Sequence, residues 1–430
     1  MTLCEEKYRM TWEKLLCTET IAPKEKNPTC WADYPVDSFE YDYGEVITSM
    51  DFRALQDKTQ MYQLNRGDFV RTRLTHSIEV SAIGRRMCIM LFNSKKANII
   101  EEFKKNSDEY IWKIPAILAS AGILHGMGNP PFGHDGEAVI SGWFREKLES
   151  DSFAFKGKPV RQWLNSQMCE DLCSFEGNAQ IIRILSKSRY ATDNMEANVT
   201  CATISTLIKY PASSLERDPS NPYTGLHKFG YYLSEENLVK EIREKTGVGS
   251  KELPHMRNPL TYILEAADDI AYICSDLEDA LSKGHVSTSA LVRFFRSRLD
   301  EIQTGLSTEE DEMCFMCSEG ILNNLRMRID KDDGRGMERA VVQSWIGYLR
   351  NWLMYSAVGS FADHYDSIME GTFPGELLTD SMHKYTVRIL KENMREAVYN
   401  TKTVEVQQSV GTLEFLLEKF VVLFPLFLFC

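Results

Sequence analysis

Nowhere in the 430 residues is there an apolar run long enough to cross a bilayer. The nearest candidate, Phe420 to Cys430, is about half of the roughly 20 residues required, and Glu414, Glu418 and Lys419 stop it from extending backwards. A helix ending in the interior of a fold, or a chain cut before its natural end, accounts for that stretch better than a membrane anchor. The first ten residues lack an apolar segment behind a basic one, which excludes a secretory signal there; eleven cysteines without such a signal argue for reduced thiols and a cytoplasmic protein. Cys314 and Cys317 form a C-x-x-C without a second pair, so buried thiols are expected there and not a zinc site. Positive charge is scarce: 49 Lys and Arg stand against 62 Asp and Glu, a net charge of −13, so any site for a polyanion has to be locally built. Asp330, Asp332 and Gly334 lack the remaining ligands of a calcium loop, which leaves a solvated turn. Glycine-rich phosphate loops, alternating strand patterns and internal repeats are missing as well.

The composition that remains, 43% apolar, 11% aromatic and 26% charged, is that of a chain with a large core and excludes disorder, collagen and coiled coil. At about 150 residues per domain the length permits about three domains, or one helical body with insertions. Helical period dominates, so the expected fold class is all-α. His76, Val80, Ile83 and Met87 share one stripe and put the histidine on a buried helix face. A second helix is expected from Ile114 to His125, ended by Asn129-Pro130-Pro131, and a third from about Asp135. Asn258 as cap and Pro259 at the first position open a helix running to about Leu281, with Leu264, Asp268, Tyr272 and Asp276 on one face. The polar turns 218–222 and 331–336 read as exposed insertions.

Three of these helices each carry a metal-type ligand: His76, His125 and Asp268. Taken singly, each is readable as a satisfied core residue, because a neutral imidazole can hydrogen-bond inside a core. Their flanks are more informative. Arg71-Thr-Arg-Leu-Thr-His76, Leu124-His125-Gly-Met-Gly-Asn-Pro-Pro-Phe-Gly-His134-Asp-Gly-Glu137 and Glu265-Ala-Ala-Asp268-Asp-Ile-Ala-Tyr272 together resemble the HD-domain phosphohydrolases, and more narrowly the dGTPase branch of the deoxynucleoside triphosphate triphosphohydrolases. Phe175-Glu-Gly-Asn-Ala-Gln180, Ile208-Lys-Tyr210 and Lys228-Phe-Gly-Tyr-Tyr232 match too, and the likeness spans about residues 45 to 420.

The resemblance implies an HD-type helical fold with additional helices and short insertions. Its parts would be an N-terminal extension over 1–44, a metallophosphohydrolase core over 45–281 and a helical C-terminal part over 282–430, the last expected to be truncated. It also implies one divalent ion, manganese or magnesium, on His76, His125 and Asp268, a donor set unlike a calcium cage. His134 matches the proton-transfer histidine and Glu137 the carboxylate that orients it, although a glutamate here could also simply favour a helix N-terminus. Gln60, Tyr272 and Asp276 match sugar contacts; Arg73, Lys209 and Lys228 match triphosphate contacts. Asn178 is placed near the phosphates or a metal-bound water, and Glu405 near the base. The implied reaction is hydrolysis of dGTP or another dNTP to deoxynucleoside and triphosphate. Implied partners are further copies of the chain, often a hexamer, and single-stranded DNA at subunit junctions; no membrane is implied. One position departs from the pattern. Where the family has aspartate after the second histidine, this chain has Gly126, so three of four protein ligands remain and a dNTP-binding protein without hydrolysis is the alternative reading.

Overall fold

The computed structural model describes residues 8–21, 36–60, 71–187, 199–250, 252–332 and 338–399. Glu405, the apolar C-terminal segment and part of the 331–336 turn lie outside them. The all-α expectation holds: among the described residues seventeen α-helices are accompanied by two two-residue strands, Ala154–Phe155 and Lys158–Pro159, an antiparallel pair with no alternating pattern to announce it. In chain order the helices are α1 (Trp12–Leu15), α2 (Ser38–Thr48), α3 (Met50–Arg53), α4 (Arg73–Phe92), α5 (Ala97–Lys105) and α6 (Ser107–Leu124). Next come α7 (His134–Glu149), α8 (Ser166–Cys173), α9 (Gly177–Lys187), α10 (Cys201–Leu207), α11 (Glu236–Thr246) and α12 (Pro259–Ser282). The last group is α13 (Thr288–Gln303), α14 (Glu309–Asp332), α15 (Glu338–Asp363), α16 (Tyr365–Met369) and α17 (Lys384–Met394). Among the described residues no helix is long and apolar enough to cross a membrane.

Three helices position the site. Helix α4 begins where sequence chemistry asks it to: the Thr72 hydroxyl accepts from the Thr75 backbone N–H at 3.2 Å while the Thr75 hydroxyl accepts from the Thr72 N–H at 3.0 Å. Upstream, the chain runs back alongside itself, with Gln60 N–H donating to Arg71 O at 3.0 Å and Arg73 N–H to Lys58 O at 2.7 Å. This pairing sets Gln60 opposite Arg71 and Lys58 opposite Arg73, so that Gln60 and Arg73 both reach the cavity.

Helix α6 returns antiparallel to α4 along a seam of small residues. A Cβ on Gly122 would stand 2.5 Å from Ser81 Cα, so only glycine permits this approach, and the Ser81 hydroxyl donates to Ala119 O at 2.8 Å. Gly84 faces Leu118 and Ala267 in the same register. The antiparallel register carries the start of α4 to the end of α6, which is where His76 and His125 lie. Replacing Gly122 with alanine forces backbone apart instead of filling a void. It is therefore expected to lower stability by about 1–3 kcal/mol, seen as a reduced urea midpoint with an unchanged slope.

Helix α12 lies against both α4 and α15 and is buried nearly all round: Ala267, Ile270, Cys274 and Leu277 are all without solvent contact. Asn258 caps it, its side-chain oxygen accepting from Leu260 N–H at 2.9 Å. Arg71 ties its far half to α4 through Glu79, Glu278 and Asp279 at 2.6 to 3.3 Å. Charged groups on such a helix have to be paired or face a cavity. On α12 they do both.

Candidate active site

A cavity of about 550 Å³ opens among α4, α6, α7, α9, α10 and α12, well within the size range of small-molecule sites. Eleven of the thirteen residues singled out from the sequence line it: Gln60, Arg73, His76, His125, His134, Asn178, Lys209, Lys228, Asp268, Tyr272 and Asp276. Glu137 stands directly behind His134, and Glu405 is outside the described residues. A larger groove of about 790 Å³, lined by surface residues such as Arg293, Arg296, Asp300 and Glu301, contains none of them.

At the cavity floor, donor atoms of His76, His125 and Asp268 lie within 4.8 Å of one another. His76 Nε2 is 3.0 Å and His125 Nε2 3.4 Å from the same oxygen, Asp268 Oδ1, and the two rings meet edge to face at 5.4 Å. His125 Nδ1 is 2.6 Å from the Gly122 carbonyl. A carbonyl only accepts, so Nδ1 carries a proton and Nε2 faces the carboxylate oxygen. A second ring nitrogen anchored to a backbone carbonyl is also the arrangement that orients metal-ligating histidines. Burial opposes the charge of Asp268, and His125 and His76 more than offset it, so its carboxyl stays well below the usual range. The residues fit a divalent metal ion with three protein ligands.

The fourth position is the one the sequence flagged. A Cβ on Gly126 would meet a single neighbour, the Ser77 hydroxyl at 3.2 Å, and that hydroxyl is fully buried with no hydrogen-bond partner. Asp135 and Asp269 do not take its place: Asp269 Oδ2 is bound to Lys391 at 2.9 Å, and Asp135 is exposed in the first turn of α7.

Beside the floor stands a histidine–carboxylate pair. After Pro130 and Pro131 the chain turns through Phe132 and Gly133, both at positive φ (67° and 57°), and starts α7 at His134. A Cβ on Gly133 would come within 2.6 Å of the Arg73 guanidinium, so glycine serves both the turn and the close approach. His134 Nδ1 donates to Glu137 Oε2 at 2.8 Å, and Glu137 Oε1 accepts from Gly177 N–H at 2.9 Å. Burial would raise the Glu137 carboxyl; the hydrogen bond and charge of His134, helped by Lys228 and Gly177, bring it below its ordinary value. The His134 side chain is 81% exposed while that of Glu137 is 9% exposed. The carboxylate is thus fixed in the protein and leaves His134 Nε2 toward the cavity.

Three cations surround this floor. Arg73 is buried on α4, its Nε unpaired; burial lowers its pKa, and Asp268, Glu137 and Asp276 counteract this. Lys209 is held by Glu265 Oε1 at 2.9 Å and Lys228 by Glu176 Oε2 at 2.9 Å. Burial disfavours the Lys209 charge, but Glu265 more than compensates and keeps the ammonium well above the ordinary lysine range. Glu265 itself is brought down to about 2, burial being overcome by Arg257 and Lys209. Asn178 Nδ2 also donates to Glu176, at 2.6 Å. The sequence reading missed Glu176 and Glu265. Both lie in the quoted motifs, one beside Gly177 and one a turn before Asp268; for Glu265 the placement of a carboxylate on a buried helix face was the signal available. Leu207, Ile181 and Thr261, which form much of the remaining wall, gave none.

No family model matches the sequence. Relatives do. The chain is 38% identical over 420 residues to the deoxyguanosinetriphosphate triphosphohydrolase-like protein of Listeria monocytogenes, covering 96% of this chain and 84% of the relative. The Listeria innocua counterpart is 37% identical over the same shares. The deoxyguanosinetriphosphate triphosphohydrolase of an Enterobacter species is 34% identical over 365 residues, 80% of this chain and 68% of that protein. With that likeness running through the segments that wall the cavity, the chain belongs to the deoxyguanosinetriphosphate triphosphohydrolase family.

Proposed function

We propose that the cavity takes a deoxynucleoside triphosphate, dGTP in the first instance, and that the protein hydrolyses it to deoxynucleoside and inorganic triphosphate. The observation that carries this reading is one juxtaposition: two imidazoles and a carboxylate with donor atoms within 4.8 Å, in a cavity that also receives Arg73, Lys209 and Lys228. Three cations exceed what a monophosphate requires and suit a triphosphate.

His76, His125 and Asp268 would hold one divalent ion, manganese or magnesium, which would supply a Lewis acid and an activated water. Arg73 offers its planar fork to phosphate oxygens, and the two lysines add compact charges. Gln60, Tyr272 and Asp276 lie toward the sugar, where the Tyr272 ring leaves little room for a 2′ hydroxyl. His134 delivers a proton from Nε2 to the departing 5′ oxygen, and Glu137 keeps Nδ1 protonated and the ring oriented. Asn178, pinned by Glu176, lies beside the phosphates, and Glu405 is assigned to the base on family resemblance alone. The same resemblance supports a homo-oligomer.

Gly126 favours a second reading, a dNTP-binding protein without turnover, because the site has one ligand and one negative charge fewer than the family pattern. Triphosphate release from each of the four dNTPs with manganese tests both. Release from dGTP supports the enzyme. Saturable dGTP binding with no release supports the binding protein, and neither binding nor release removes both.

A further inference from the structure

Lys209 does not stand alone in the cavity wall. Its ammonium meets Glu265 Oε1 at 2.9 Å, and the other carboxylate oxygen accepts from Arg257 Nη2. Arg257 is 1% exposed, donates to Thr224 Oγ1 at 3.1 Å and lies over the Tyr262 ring with its guanidinium carbon 4.2 Å from the centroid. The carboxylate is therefore locked from behind by a residue with no freedom to leave. We infer that Glu265 is a positioning residue for the triphosphate subsite: held by Arg257, it fixes Lys209 toward the cavity before a ligand arrives. This deepens the dNTP reading above and rests on it.

Two effects point the same way. A lysine ammonium on a four-carbon stem has considerable rotamer freedom to lose. A carboxylate that has already removed that freedom lessens what the phosphate must overcome on binding. Second, without Glu265 the buried Arg257 and the partly exposed Lys209 would face each other with no anion between them, and their repulsion would turn the flexible lysine away from the subsite. Repulsion between Glu265 and a bound phosphate opposes these effects, but Arg257 and Lys209 together already exceed its charge.

The test uses the full chain with inorganic triphosphate as probe, by titration calorimetry in the presence of a chelator, so that neither metal loading nor turnover enters. Glu265→Gln is expected to weaken triphosphate binding about tenfold. In a Lys209→Met background the same substitution is expected to change it less than twofold, since it acts through Lys209. With dGTP and manganese, KM should rise about tenfold while kcat stays within threefold. Should Glu265→Gln fail to fold, Glu265→Asp keeps the charge near Arg257 but withdraws it from Lys209, and at least a threefold weakening is expected. Binding by either variant as tight as in the natural protein, or tighter, overturns the inference, as does a further tenfold loss in the Lys209→Met background. A natural protein that binds no triphosphate fails the dNTP reading itself, a result distinct from one in which it binds and Glu265→Gln matches it.

Discussion

Replacing Gly126 with aspartate is expected to tighten manganese binding at least tenfold, about 1.4 kcal/mol, and to raise kcat/KM for dGTP by at least as much. The backbone allows it: Gly126 is not among the glycines at positive φ, and the new Cβ would meet only the Ser77 hydroxyl at 3.2 Å, which needs to yield by a few tenths of an ångström. The added carboxylate would also offer an acceptor to that hydroxyl, buried and unpartnered as it stands. A second negative charge beside the two imidazoles would complete the donor number of a closed site, yet leave room for water in an expanded coordination sphere. Manganese titration followed by electron paramagnetic resonance reads the affinity directly. An unchanged affinity would mean that Gly126 is no deficit and that a water serves equally well at the fourth position.

Substituting His134 by asparagine should cost about 10²- to 10⁴-fold in kcat, the usual weight of a positioned proton donor, with KM for dGTP within about threefold. Asparagine keeps a polar group near Glu137 Oε2 but carries no transferable proton. His134 is exposed, so its loss leaves no cavity, and the Glu137 carboxylate keeps its Gly177 partner at 2.9 Å. The measurement is best made by single turnover in the Gly126→Asp protein, where the rate gives room to fall. A drop of less than tenfold would take the proton-transfer role from His134 and leave it as a wall of the pocket.

Much of this site was legible along the chain, for a local reason. The cap at Asn258, the proline after it and the four-residue spacing of Leu264, Asp268, Tyr272 and Asp276 are all contained within one helix, and α12 forms where they place it, Pro259–Ser282. The stripe through His76, Val80, Ile83 and Met87 likewise gives α4 its buried face. The short Ala154–Phe155 and Lys158–Pro159 pair escaped notice because two residues hold no period. Lys209 and Lys228 could be chosen as phosphate ligands by resemblance, but their carboxylate partners could not, since an ion pair between segments far apart in the chain leaves no mark on spacing. Asp269 shows the same limit: next to a ligand in sequence, it turns away to Lys391 on α17.

What the sequence by itself determined is which segments coil and which face of each turns inward, because capping chemistry and helical period act between residues a few positions apart. The tertiary structure alone decided that three such faces share one cavity. Gly122 lets α6 reach the backbone of α4, their antiparallel register delivers His76 and His125 to one end, and α12 crosses there with Asp268. Convergence of that kind depends on close packing between segments far apart in the chain, where a single methyl group at the contact is enough to hold them apart.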